Sequence, residues 1–186
     1  MFKRISLIVL ALAMVLSISA FADDVNTDSE TDPSQVVYLG KEDPDAILKD
    51  AVEPDPFGPK ARARSLFSFT GEKVYNLLTT YNSNGKSFKA SDLTNGYLGF
   101  GGTGKYSASQ STVSFKVGAC YLESSTNIFQ TYPDQFMYCK NNIYNKKNVS
   151  ADSFSSSQTY YGFMSNLSGN SNTYLMGTFY YYNGEI

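Results

Sequence analysis

The chain of 186 residues has no histidine and no tryptophan, and only two cysteines. Without histidine there is no Ser-His-Asp or Cys-His nucleophilic machinery, no imidazole-bound zinc and no side chain whose ordinary titration falls near neutral pH. Two thiols cannot supply the four thiolates of an all-cysteine zinc site. Proline is scarce outside one stretch: five of the six lie between Asp32 and Lys60, and only Pro133 follows. Long apolar runs are scarcer still. The one clear case, Ile5 to Ile18, covers 14 residues, against about 20 needed to span a bilayer.

Lys3 and Arg4 precede that run, and Ala20-Phe21-Ala22 follows it with small residues at the two positions a signal peptidase reads. Residues 1–22 are therefore expected to be a cleavable signal peptide, cut between Ala22 and Asp23. Acidic Asp23-Asp24 comes next, no cysteine adjoins the cut to take a lipid, and Asn183-Gly184-Glu185 is polar. A secreted, extracellular chain with no transmembrane anchor in its mature form is expected, and the short signal fits a bacterial source. In an oxidising compartment Cys120 and Cys139 are expected to form a single disulfide.

The formal net charge of −2 hides an asymmetry. Residues 23–57 hold eleven acids against Lys41 and Lys49, a charge of −9, whereas residues 65–186 carry only +2. Between them lies a basic junction of Lys60, Arg62 and Arg64. This divides the chain into a signal peptide (1–22), an acidic, Pro-rich arm or pro-segment (23–64) and a Tyr-rich domain (65–186). Within the arm, Gln35 to Leu39 is strand-like. Asp43-Pro44-Asp45 resembles a helix start, with Ile47, Leu48, Ala51 and Val52 on one face of the short helix that would follow. The rest reads as a largely irregular linker, or as a segment that docks on the domain.

From Ser65 onward short runs of strand formers alternate with Asn-, Ser- and Gly-rich turns. Leu66–Phe69 alternates poorly; the candidate strands are Val74–Tyr81, Ser87–Lys89, Tyr97–Phe100, Thr112–Tyr121, Asn127–Tyr132, Gln135–Cys139, Thr159–Met164 and Thr173–Tyr182. The last two, separated by Ser168-Gly169-Asn170-Ser171, read as a hairpin. Fourteen of the fifteen tyrosines and ten of the thirteen phenylalanines lie here, which suits half-buried pleated surfaces. The expected fold is an all-β antiparallel sandwich or barrel of about eight short strands, preceded by the acidic arm.

Motif matches are poor. Gly99 to Lys105 has the G-x-x-x-x-G-K spacing of a phosphate loop, but Tyr106 stands where Ser or Thr should hold magnesium; a Gly-rich hairpin connection is the expectation. Ser83-Asn84-Gly85-Lys86 has a Ser-x-x-Lys spacing inside a turn rather than at a helix start. Glu72, Asp92, Glu123, Asp134, Asp152 and Glu185 are widely spaced and read as solvated surface. No cofactor and no metal are indicated.

The tyrosines carry the candidate site. Tyr160, Tyr161, Tyr174, Tyr180 and Tyr182 offer contact area at low entropy cost, and alternation puts Tyr180 and Tyr182 on one face. Lys140, Lys146 and Lys147 would make that surface locally basic. The leading expectation is a non-catalytic binding module for an extracellular partner, either a cell-wall polymer, a glycan or a protein; nucleic acid is disfavoured by a charge of only +2. The alternatives are an antimicrobial or toxin precursor whose acidic segment is removed after Arg64, and a His-free hydrolase working with two carboxylates.

Overall fold

The structure, a computed structural model, describes residues 35–60, 62–75, 77–82, 86–108 and 114–186. The expected signal peptide with Ala22, the start of the arm, Ser83 to Gly85 of the Ser-x-x-Lys turn, and Thr112 and Val113 of one candidate strand lie outside the described residues. Among the described residues, no helix is long and apolar enough to cross a membrane.

Twelve strands are present among the described residues: β1 (Val37–Gly40), β2 (Ile47–Lys49), β3 (Arg64–Val74), β4 (Thr79–Tyr81), β5 (Ser87–Phe88), β6 (Tyr97–Tyr106), β7 (Phe115–Glu123), β8 (Ile128–Thr131), β9 (Phe136–Cys139), β10 (Tyr144–Ser150), β11 (Tyr160–Ser165) and β12 (Leu175–Asn183). They form two antiparallel sheets, so the all-β expectation holds. One has the order β1-β8-β7-β11-β4, with β9 also on β7 and β5 also on β11; the other runs β10-β6-β12-β3-β2.

The first sheet curls. Glu42, just after β1, bridges Thr79 at the start of β4, and the Asp43 amide donates to the Thr79 carbonyl at 2.8 Å. Tyr81 and Phe129, from strands with two others between them in the sheet, bring their rings within 4.1 Å. The concave side holds a small cluster of Leu39, Cys120, Phe129, Phe136 and Phe163. The larger core lies between the sheets, where alternation buries Phe67 and Phe69 of β3, Leu98 and Phe100 of β6, and Phe179 and Tyr181 of β12. Tyr181 stacks on Phe67 and Phe100 and donates its hydroxyl to the Gly118 carbonyl at 2.9 Å, tying one sheet to the other.

Five expectations are corrected. First, Ile47 to Lys49 is a strand on β3, not a helix. Asp43 does accept the Asp45 amide as a cap would, but its other oxygen takes the Tyr75 amide at 2.6 Å, so it makes a buried Asx-turn that fastens the arm to the body. Second, Val74 to Tyr81 is broken because Lys73 and Leu77 adopt left-handed φ values of 57° and 54°. Third, Gly99 to Gly104 is not a connection but the middle of β6. A Cβ on Gly104 would lie 2.4 Å from the Phe115 ring, so glycine there makes room for an aromatic of the opposite sheet. Fourth, β11 and β12 are not a hairpin; they belong to different sheets. Fifth, Cys120 and Cys139 are free buried thiols. Cys139 is opposite Phe115 across β9 and β7, and Cys120 is five residues further along β7, hence on the other face. That offset is roughly 16 Å, well beyond the roughly 7 Å that a disulfide spans between Cα atoms.

Candidate functional site

The second sheet turns one face to the core and the other outward, and register decides what the outer face displays. Tyr144 on β10 is opposite Thr103 on β6, Thr103 is opposite Thr178 on β12, Thr178 is opposite Thr70 on β3, and Thr70 is opposite Lys49 on β2. These five residues form one rung across all five strands, about 19 Å long at the usual strand spacing. The hydroxyls of Thr70 and Thr178 are hydrogen-bonded at 2.8 Å. The next rung carries Lys146, Gly101, Tyr180 and Ser68, and beyond it Asn148, Gly99 and Tyr182 are aligned.

Glycine along β6 shapes this face into a trough. A Cβ on Gly101 would meet the Tyr144 hydroxyl at 2.5 Å and the Ile186 side chain at 3.0 Å. Ile186 lies in that trough; Asn148 accepts its amide at 3.0 Å, and the Lys146 ammonium donates to its carbonyl at 3.3 Å.

The acidic arm crosses over the same face. Tyr180 donates its hydroxyl to the Glu53 carbonyl at 2.5 Å. Tyr144 and Tyr182 both donate to one oxygen of Asp55, at 3.0 and 3.2 Å, and the Phe57 ring stands 4.2 Å from that of Tyr144. Burial, and then the neighbouring Asp55 carboxylate, push all three phenols above the ordinary tyrosine value. Between arm and sheet remains an open groove of about 450 Å³. Its floor is the threonine rung with Tyr144 and Tyr180, and its walls are Glu72 on one side and Val52, Glu53 and Pro56 on the other.

Charge in the groove is negative, since Asp50, Glu53 and Glu72 face a single lysine. Glu72 is paired with that lysine, Lys49, at 2.9 Å, and Asp50 is paired with Lys86. Of the six carboxylates in the β domain only Glu72 reaches the groove. Glu185 is held by Lys60 at 2.7 Å, Asp92 caps a turn at the Lys89 amide, and Glu123 bonds Thr126 and Gln130.

The structure brings together only part of the sequence-derived set. Tyr180, Tyr182 and Lys146 share the outer face. Tyr160 is wholly buried among Phe88, Phe154 and Tyr121. Tyr161 is half-buried on the other sheet beside Tyr81, and Tyr174 packs edge-on to Tyr75 away from the groove. Lys147 points opposite to Lys146 and donates to the Phe136 carbonyl at 2.8 Å; burial lowers its ammonium below the ordinary range. Lys140 is exposed in the turn before β10. Arg64 is exposed as the first residue of β3, opposite Asn183. Sequence reasoning missed Tyr144, the threonine rung and Asp55. Only strand register aligns the threonines, and β10 is a polar edge strand without apolar alternation.

No protein family, no curated protein and no solved structure matches this chain.

Proposed function

We propose that this is an exported, non-catalytic binding module that takes a neutral, polyhydroxylated polymer, a glycan chain, along the groove on the outer face of the second sheet. The observation that carries the reading is the continuous rung of Tyr144, Thr103, Thr178, Thr70 and Lys49. It offers ring surface at one end, hydroxyls along the middle and an ion pair with Glu72 at the other. Sugar hydroxyls find acceptors in the carboxylates and partners in the threonines, while tyrosine rings supply apolar area with polar tips. Three carboxylates line the groove against Lys49, with Lys86 paired to Asp50 beside it, and this excess of negative charge disfavours a polyanion as the ligand. Export rests on the features of residues 1–22, and a mature N-terminus at Asp23 by mass spectrometry is the matching outcome.

The test is a titration of the purified protein with soluble neutral oligosaccharides, glucose and N-acetylglucosamine oligomers, beside an anionic polyol-phosphate polymer. Neutral chains bind, and Tyr180→Ala weakens them about tenfold, as expected for an aromatic anchor of a small site. Preference for the polyanion with steep salt dependence, or binding indifferent to Tyr180→Ala, would overturn the reading.

A further inference from the structure

We propose, building on that groove, that the segment from Val52 to Phe57 is a displaceable strap: an internal occupant that covers a second, aromatic half of the binding face. Three phenol hydroxyls on one face all donate to this one segment, to the Glu53 carbonyl and to the shared Asp55 oxygen. Their partners are thereby used up by the chain itself. The segment is nevertheless barely buried. Val52 is 95% and Phe57 62% exposed, so little apolar area holds it down.

Its backbone adds little more. Residues 50–60 contain no strand, so no ladder bonds the segment to the sheet, and Pro54, Pro56 and Pro59 have no amide hydrogen to give. The flanks are firm instead. On one side β2 is laddered to β3; on the other the Lys60 amide and ammonium both engage Glu185. A segment fixed at both ends and held in the middle by a few polar contacts can lift without disturbing either sheet.

Lifting it uncovers Tyr144, Tyr180 and Tyr182 as a platform continuous with the threonine rung. A polyhydroxylated chain carries the acceptor oxygens that these three hydroxyls lose when Asp55 and Glu53 leave. The strap is therefore a built-in competitor. The closed protein offers a shallow walled groove that reaches only part of Tyr144 and Tyr180, the open one the threonine rung continued by three freed rings, and the affinity for that larger face is reduced by the fraction of molecules that are closed.

Asp55→Ala and Phe57→Ser each remove one attachment without touching the sheet. Nitration of tyrosine by tetranitromethane, mapped by peptide mass, reports on the strap with no ligand present. Tyr144 and Tyr182 should react slowly in the natural chain and about tenfold faster in Asp55→Ala, with the melting transition unchanged. Should Asp55→Ala lower the melting transition, Phe57→Ser, which leaves the carboxylate in place, decides by the same readout. Unchanged nitration in a folded variant overturns the strap. Titration with the neutral oligosaccharides then reads occlusion, and affinity for them should rise about tenfold in the variants. A fall in affinity would mean that the ligand needs the wall that Val52, Glu53 and Pro56 supply more than the rings beneath it, and would overturn occlusion. Faster nitration with no sugar bound by any form would leave the strap standing and remove the glycan reading.

Discussion

Cys120 and Cys139 are separated by parity as well as by distance. Antiparallel neighbours share a face only when they are directly opposite or an even number of residues apart. The offset of five along β7 sends one thiol into the curl of the first sheet beside Phe163 and the other into the main core beside Phe115. Burial pushes both thiols well above their ordinary value, so neither is a thiolate at neutral pH and neither reacts readily. The native protein is expected to give no product with a thiol-labelling reagent. After denaturation it should give two labels per chain, with an intact mass that reductant does not change. One disulfide-sized mass difference on reduction would contradict the register of β7 and β9. Alternation within a strand is legible from sequence, as Phe115, Val117 and Ala119 show. The offset between two strands is not, because turns and bulges outside both of them set it.

At the level of elements, the arm behaves as two different things. Its residues 37–49 join the sheets: β1 lies on β8, β2 lies on β3, and in the turn between them Asp43 is buried with the Tyr75 amide and the Thr79 carbonyl around it. Its residues 50–60 are irregular and lie over the tyrosines. Proline and acid content mark the whole stretch as linker-like, and for the second part that expectation holds. For the first part the few apolar residues, Val37, Leu39 and Leu48, suffice because they join existing sheets rather than build a core of their own. Asp43-Pro44-Asp45 misleads for a related reason: a helix cap and an Asx-turn share the same local bond, and the strand pairing of Ile47 to Lys49 decides between them. A consequence concerns cleavage at the basic junction. Arg62 and Arg64 are exposed, so trypsin should nick there. The nicked arm should still co-elute with the domain in gel filtration, separating only in denaturant. Loss of the arm as a free peptide under native conditions would mean that β1 and β2 contribute little to holding it.

For the molecule as a whole, the missing histidine and the many buried phenols set how stability depends on pH. No side chain has its ordinary value between the carboxylates and the phenols except the two thiols, and burial moves those upward. Unfolding free energy is therefore expected to vary little from about pH 6 to about pH 9. At higher pH the tyrosines take over. Tyr106 is pushed up to about 12, with burial as the main cause. Tyr121, Tyr144, Tyr160, Tyr180, Tyr181 and Tyr182 are all raised, again chiefly by burial. A phenol raised on folding holds its proton more tightly when folded, so its contribution is complete below the unfolded value near 10. That contribution is lost as pH climbs through the folded values. Lys116 and Lys147 act in the opposite sense, since burial lowers them and the folded form is favoured as they give up their protons. Two lysines against seven phenols cannot reverse the trend, so stability should fall steeply above about pH 10. Urea unfolding at a series of pH values, with tyrosinate absorbance followed in parallel, checks this. The phenols of Tyr144, Tyr180 and Tyr182 should ionise before that of Tyr181 and without unfolding, because the strap can lift and wet them while the sheets stay closed. Tyr181, locked between the sheets on the Gly118 carbonyl, should ionise only as the protein unfolds. A single absorbance step coinciding with global unfolding would show instead that the outer face and the core open together.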